Sequence, residues 1–331
     1  MARPQVRIKR FVKSVTLTDA ARDTVDLPRD YDYESIVIRF SGTSTLSNGG
    51  SAVRAEAPLQ ALSWINLKAN GTDLLDGITG IMAHRLSVLR NGQLPPLSAP
   101  SDATAAARTF SGVVILDRSV IDGIRAKDGN FPSRGLSSFQ LELTAGNAAD
   151  LFTGTPVGTM TMTVSVSVVQ TEEVAVNGKV SLPRVVTKRS QRTESYASSN
   201  SAAQIRLNTG TLMRGLMLRA YGASTAGEPS NTGINNVKVQ KGNITLFDLP
   251  GNVLQAMNQA DFNVTTWPTG FYMVDFMTMG GPAGKLADCL DLRQGEEINL
   301  ILDVTGATNQ KVDIQQLEFI PYNPGYWGIA A

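Results

Sequence analysis

The groups best suited to chemistry in this chain are His84 and Cys289, each the single residue of its type among 331. A thiol nucleophile needs a base beside it, and a zinc centre needs several His or Cys ligands, so one of each builds neither. A disulfide framework and a CxxC redox pair are excluded by the same count. Cys289 reads as a small buried hydrophobe. His84 lies within a stretch of helical spacing and reads as a surface or boundary residue. Neither GxSxG nor GxxxxGK[ST] occurs, and Gly49-Gly50 and Gly280-Gly281 lie between strands, as turns do. Glycoside hydrolysis would need only two carboxyls about 5–10 Å apart. The acids, however, scatter through loops and strand ends: Asp19, Asp23, Asp26, Asp30 and Asp32 near the start, Glu172-Glu173 after a strand, Glu296-Glu297 before one. They read as solvated faces and turn residues. With 6% aromatics the chain has no extended stacking platform, and Trp64, Trp267 and Trp327 read as core or interface anchors. The sequence therefore offers no catalytic or cofactor-binding set, assigns no metal ligands, and points away from an enzyme.

Charge is balanced, with 30 Lys+Arg against 29 Asp+Glu and a formal net charge of +1. A surface built wholly for nucleic acid would need a concentrated basic face, so no specific nucleic-acid binding is expected. The balance hides one local excess. Residues Met1 to Ser14 carry Arg3, Arg7, Lys9, Arg10 and Lys13 with no acid, interleaved with Val6, Ile8, Phe11 and Val12. No apolar run of signal-peptide length follows them. The segment is either an arm for anionic headgroups, where each basic residue contributes on the order of 1 kcal/mol, or a first strand with a charged outer face. At the other end, the aromatic and Pro-rich stretch Ile320 to Ile329 holds Tyr322, Tyr326 and Trp327. It reads as docking on a neighbouring subunit or packing on its own unit.

The elements that must position these groups are mostly strands. In Met160 to Val168 every even position is apolar and every odd one is Thr or Ser, the period of a sheet with one wet face. Ile36 to Phe40, Ile65 to Leu67, Val113 to Leu116, Phe139 to Leu143, Val237 to Val239, Phe271 to Met277, Ile298 to Val304 and Val312 to Phe319 read the same way. Two segments have helical spacing instead: Ile78, Ile81, Met82, Leu86 and Leu89 after Asp76, and Val253, Leu254 and Met257 after Asp248. Each Asp is expected to cap its helix.

The halves of the chain match each other. Ile36-Val-Ile-Arg-Phe-Ser-Gly-Thr-Ser-Thr45 corresponds to Leu216-Met-Leu-Arg-Ala-Tyr-Gly-Ala-Ser-Thr225, and Ile65 to Asp76 corresponds to Val237 to Asp248. Phe110 then matches Phe271, Phe139 to Leu143 matches Ile298 to Leu302, and Met162 with Val164 matches Val312 with Ile314. Five blocks in one order, with an offset falling from 180 to 150 residues, are two copies of one unit, the second with shorter loops. The expected fold is all-β: two tandem eight-stranded jelly rolls, each with a short inserted helix, at residues 1–178 and 179–331. A two-domain cupin of this size would need several metal-binding histidines, which the chain lacks.

This tandem arrangement, with a helix after each of the Ile65-Asn-Leu-Lys and Val237-Lys-Val-Gln strands, resembles the double-jelly-roll major capsid proteins of icosahedral phages with an internal membrane, of the tectivirus and corticovirus type. The resemblance implies a structural coat protein made in the host cytoplasm and built into the virion. Homotrimers would form pseudo-hexameric capsomers, because two similar barrels per chain give a threefold trimer six similar edges. It implies self-association as the main partnership, with an underlying lipid membrane and minor or vertex capsid proteins as further partners, and no cofactor. Arg3, Arg7, Lys9, Arg10 and Lys13 would meet the inner layer, and Tyr322, Tyr326 and Trp327 a neighbouring subunit. The alternative is a β-sandwich carbohydrate-binding or phage tail-associated module.

Overall fold

The computed structural model describes residues 5–122, 125–173, 185–222, 227–278, 286–295, 297–306 and 310–321. The chain divides into two compact units, with Lys188 the last residue of one stretch of the first unit and Arg189 opening the main stretch of the second.

Eight strands frame the first unit among its described residues: β1 (Gln5–Thr18), β2 (Arg22–Asp26), β3 (Asp32–Leu46), β4 (Leu62–Ala69), β5 (Asp73–Ile78), β6 (Ala107–Asp117), β7 (Phe139–Ala145) and β8 (Gly158–Glu173). One sheet runs β1-β8-β3-β6 and the other β2-β7-β4-β5. Strand β9 (Val185–Tyr196) follows β5 in the sheet order, and its opening residues Val185–Lys188 count with this unit. Alternation decides which face each strand buries. Met160, Val164, Val166 and Val168 of β8 turn inward against Ile36, Ile38 and Phe40 of β3, all essentially without solvent contact, while Thr161 and Thr163 stay outside. Each such apolar side chain contributes roughly 1.5–3 kcal/mol. Gly42 allows a close approach: a Cβ there would lie 2.5 Å from the Thr161 carbonyl oxygen and 2.8 Å from the Phe110 ring.

The second unit repeats the plan after β9 with β10 (Asn200–Arg206), β11 (Leu212–Ala220), β12 (Ile234–Lys241), β13 (Ile244–Pro250), β14 (Phe271–Asp275), β15 (Ile298–Val304) and β16 (Gln310–Pro321). Its sheets run β9-β16-β11-β14 and β10-β15-β12-β13. Strand for strand this is the order of the first unit, so the five matching sequence blocks extend to eight equivalent strands. Each unit is a jelly roll. The second core gathers Leu216, Leu218, Val237, Val239, Leu300, Leu302 and Ile314.

The helices depart from expectation. The first helical stretch breaks into α2 (Gly80–Arg85) and α3 (Val88–Asn91), following a short α1 (Ala57–Gln60). Thr79, not Asp76, caps α2, its Oγ1 accepting from the Met82 amide at 3.3 Å, and Gly92 stops α3 in the left-handed region. Asp76 belongs to β5 and is fully buried. In the second unit α4 (Gly251–Asp261) begins after Pro250, and Asp248 sits in β13, accepting from Asn236 Nδ2 at 2.7 Å. Both Asp residues precede their helix by too many positions to reach its first amides. Asn258 docks α4 instead, exchanging two 2.8 Å hydrogen bonds with the Met273 backbone of β14 as a neighbouring strand would. Strand β14 itself ends at Asp275, and Phe276–Thr278 form a 3-10 turn.

Candidate interaction surface

The basic segment is a strand, not a loose arm. Strand β1 pairs antiparallel with β8, from Gln5 opposite Glu173 to Thr18 opposite Thr161, and its register slips once, between Phe11 and Lys13. Val12 is the extra residue of this bulge, which re-aims the residues before it. Beyond the bulge Val15 and Leu17 enter the core opposite Val164 and Met162. Before it Phe11 stands opposite Ser167 and Lys9 opposite Val169, on the outer face. Phe11 is 63% exposed. With Arg7, Val37, Ile115 and Val169 these two residues line a shallow outward groove of about 570 Å³.

The structure separates the four basic residues it describes. Arg7 pairs with the nearly buried Glu34 at 2.7 Å, and Arg10 pairs with Asp30 at 2.9 Å while its guanidinium lies 6.0 Å from the Tyr31 ring centre. Lys13 Nζ reaches the Thr24 carbonyl at 3.5 Å. Lys9 and Lys13 remain exposed. The arginines thus anchor the strand and the lysines present charge, a distinction invisible in the sequence because Asp30 and Glu34 lie 20 and 27 residues away. Arg3, Tyr322, Tyr326 and Trp327 lie outside the described residues, as do the expected join near 178 and Glu296.

The remaining chemical groups are committed to structure. His84 is buried, contrary to the boundary position expected, because α2 packs on the first core; its Nε2 donates to the Pro95 carbonyl at 2.9 Å. Burial pushes its pKa down to about 4. Cys289 is buried. Of the acids read as solvated, Asp32 is buried, and two further acids are enclosed in ion pairs. Asp76 pairs with Arg118 at 2.5 Å with both side chains wholly buried, Arg118 also donating to the Thr187 carbonyl and lying 5.7 Å from the Phe131 ring centre. In the second unit Arg219 and Asp313 form a buried pair at 3.4 Å, and Asp313 also accepts from Tyr221 and Thr193 at 2.6 Å. Trp64 and Trp267 are half-buried, Trp267 stacking on Phe262 at 5.8 Å. Among the described residues no group of three or more His, Cys, Asp or Glu could hold a metal ion, and no helix is long and apolar enough to cross a membrane.

Two jelly rolls of one topology in a single chain define the double-jelly-roll fold. No protein-family description and no curated protein matches the sequence. Solved structures do match along almost its whole length. The STIV MCP aligns over 98% of this chain and 99% of its own, with a TM-score of 0.75 and 16% identity. The major capsid protein of bacteriophage PM2 aligns over 96% and 98%, with a TM-score of 0.62 and 16% identity. The Faustovirus major capsid protein aligns over 98% and 91%, with a TM-score of 0.61 and 9% identity. The chain shares the double-jelly-roll fold of these proteins.

Proposed function

We propose that this chain is the major coat protein of an icosahedral virus, a structural subunit that associates with copies of itself and resides in the virion shell. The observation that carries this reading is the end-to-end match of the duplicated barrel to major capsid proteins, over 96% or more of this chain in the three cases. The chemistry agrees. The buried charges are spent in pairs that hold strands together, and the exposed special features are apolar and basic surface. Homotrimers presenting six similar barrels, tiled into a lattice, are the assembly such a subunit supports. An internal membrane and minor or vertex proteins are further partners, with the exposed Lys9 and Lys13 meeting anionic headgroups and the C-terminal Tyr322, Tyr326 and Trp327 assigned by this reading to a neighbouring copy. Light scattering and electron microscopy of the purified chain across a range of ionic strength test the proposal. Discrete oligomers or a hexagonal lattice are expected; a persistent monomer would sink it.

A further inference from the structure

The two units leave different strand edges uncovered. In the first unit the far side of β5 is occupied, since β9 follows it in the sheet order and Val185–Lys188, the opening of β9, count with that unit. The equivalent strand of the second unit, β13, ends its sheet: among the described residues no strand pairs with its far edge. Likewise β1, the equivalent of β9, ends its own sheet beyond β8, whereas β9 has neighbours on both sides. The chain thus makes one pairing between the start of a jelly roll and a fifth strand, and leaves one more of each without its counterpart. Unpaired edges present rows of backbone donors and acceptors ready for another strand.

We propose that the far edge of β13, Ile244–Pro250, receives the opening of β1, residues 6–9, from a second copy of this chain. Three observations choose this occupant. The equivalent edge of β5 already takes the opening of a first strand. Exposed apolar side chains flank both partners, Val6 on one and Ile244, Val253 and Met257 on the other. The charges are complementary: Lys9 is exposed on the opening of β1, and Asp248, exposed on β13, carries a negative charge that Lys238 reaches only at 3.9 Å. Because the two edges lie on different parts of the chain, the contact is head-to-tail, and repeated copies close into a ring when the rotation permits.

The inference rests on the coat reading and can fail separately from it. In a Cys289→Ala background, Val6→Cys combined with Ile244→Cys, or with Leu246→Cys for the adjacent register, is expected to yield disulfide-linked chains on oxidation of the assembled protein, since facing Cβ atoms of paired strands approach about 4.5–5.5 Å. Ile244→Lys and Val6→Asp alter exposed positions and set like charges against the partner edge, so each is expected to fold and to weaken self-association about tenfold or more. Assembly identical to wild type in both variants, with no cross-link in either register, would overturn the contact while leaving a coat function standing. A chain that never associates would overturn both.

Discussion

His84 shows how a single residue acquires a property its sequence neighbours do not announce. Its Nε2 holds a proton for the Pro95 carbonyl, and its Nδ1 is buried without a partner among the described residues, so the neutral ring is the form the site accommodates. Burial is the larger cause of the lowered pKa; Arg85, itself paired with Glu56 at 3.1 Å, pushes the same way, and the Pro95 bond opposes both. An unfolded histidine titrates near 6.5, and the folded one near 4. Between these values the unfolded chain binds more protons, so the contribution of this site is whole above about pH 6.5 and falls as the pH drops toward 4. The loss reaches about 3 kcal/mol at most. His84→Gln keeps a donor for Pro95 without the titration; urea unfolding from pH 7 to 4 should show a flatter stability profile in this variant, and parallel profiles would refute the assignment.

At the scale of elements, register carries most of the information. The bulge at Val12 sets the faces of β1, and deleting Val12 regularises the strand while keeping Phe11 and Lys9 outside and Val15 and Leu17 inside. That deletion should cost little, within roughly 1 kcal/mol, because no side chain changes face. Deleting Thr163 from β8 instead reverses inward and outward positions on one side of the cut and should prevent folding. Thermal denaturation of the two deletion proteins distinguishes these outcomes. The contrast also explains what could be read in advance. Strand β8 was legible because one face is dry and the other wet, and β3, β4, β7, β12, β15 and β16 carry enough of that alternation to align the halves. The opening segment of the first unit reads as either an arm or a strand, and β2, β9 and β10 carry no such signal. Strand β9 begins buried and continues mostly half-buried, with no alternation, and β10 opens on three exposed residues before Ala203 and Ile205 turn inward, too short a run to stand out. Asp76 and Asp248 looked like caps because local sequence cannot reveal that Arg118 waits 42 residues away for Asp76. The groove was half legible: Lys9 and Phe11 stood out by type, whereas Val37 and Ile115 join them only through pairing across the sheet.

For the whole molecule, near-zero net charge and duplicated barrels suit a particle packed against its own copies, since little like-charge repulsion must be overcome. A membrane contact, if the first strand makes one, runs through the lysines. Truncating the chain before Ser14 would remove much of β1 and its pairing with β8, so the informative variant is Lys9→Ser with Lys13→Ser. Affinity for vesicles rich in anionic lipid, read by cosedimentation, should fall by about thirtyfold at low salt, two charges at on the order of 1 kcal/mol each setting the scale. Unchanged binding would show that the lipid contact lies elsewhere or is absent.

The pairing of β1 with β8 has one more consequence, in time instead of space. The strand that lies between β1 and β3 in its sheet is the last of the eight framing strands to be made, and Gln5 finds its partner only at Glu173. During synthesis the facing edges of β1 and β3 therefore wait, unpaired, until just over half the polypeptide has been made, and β16 imposes the same delay on the second unit. Such long-range closure makes for slow folding. A cell producing this protein in quantity accumulates unfinished chains in proportion to its rate of translation, so yield of competent subunits is governed by how those chains are kept apart until their last strand arrives.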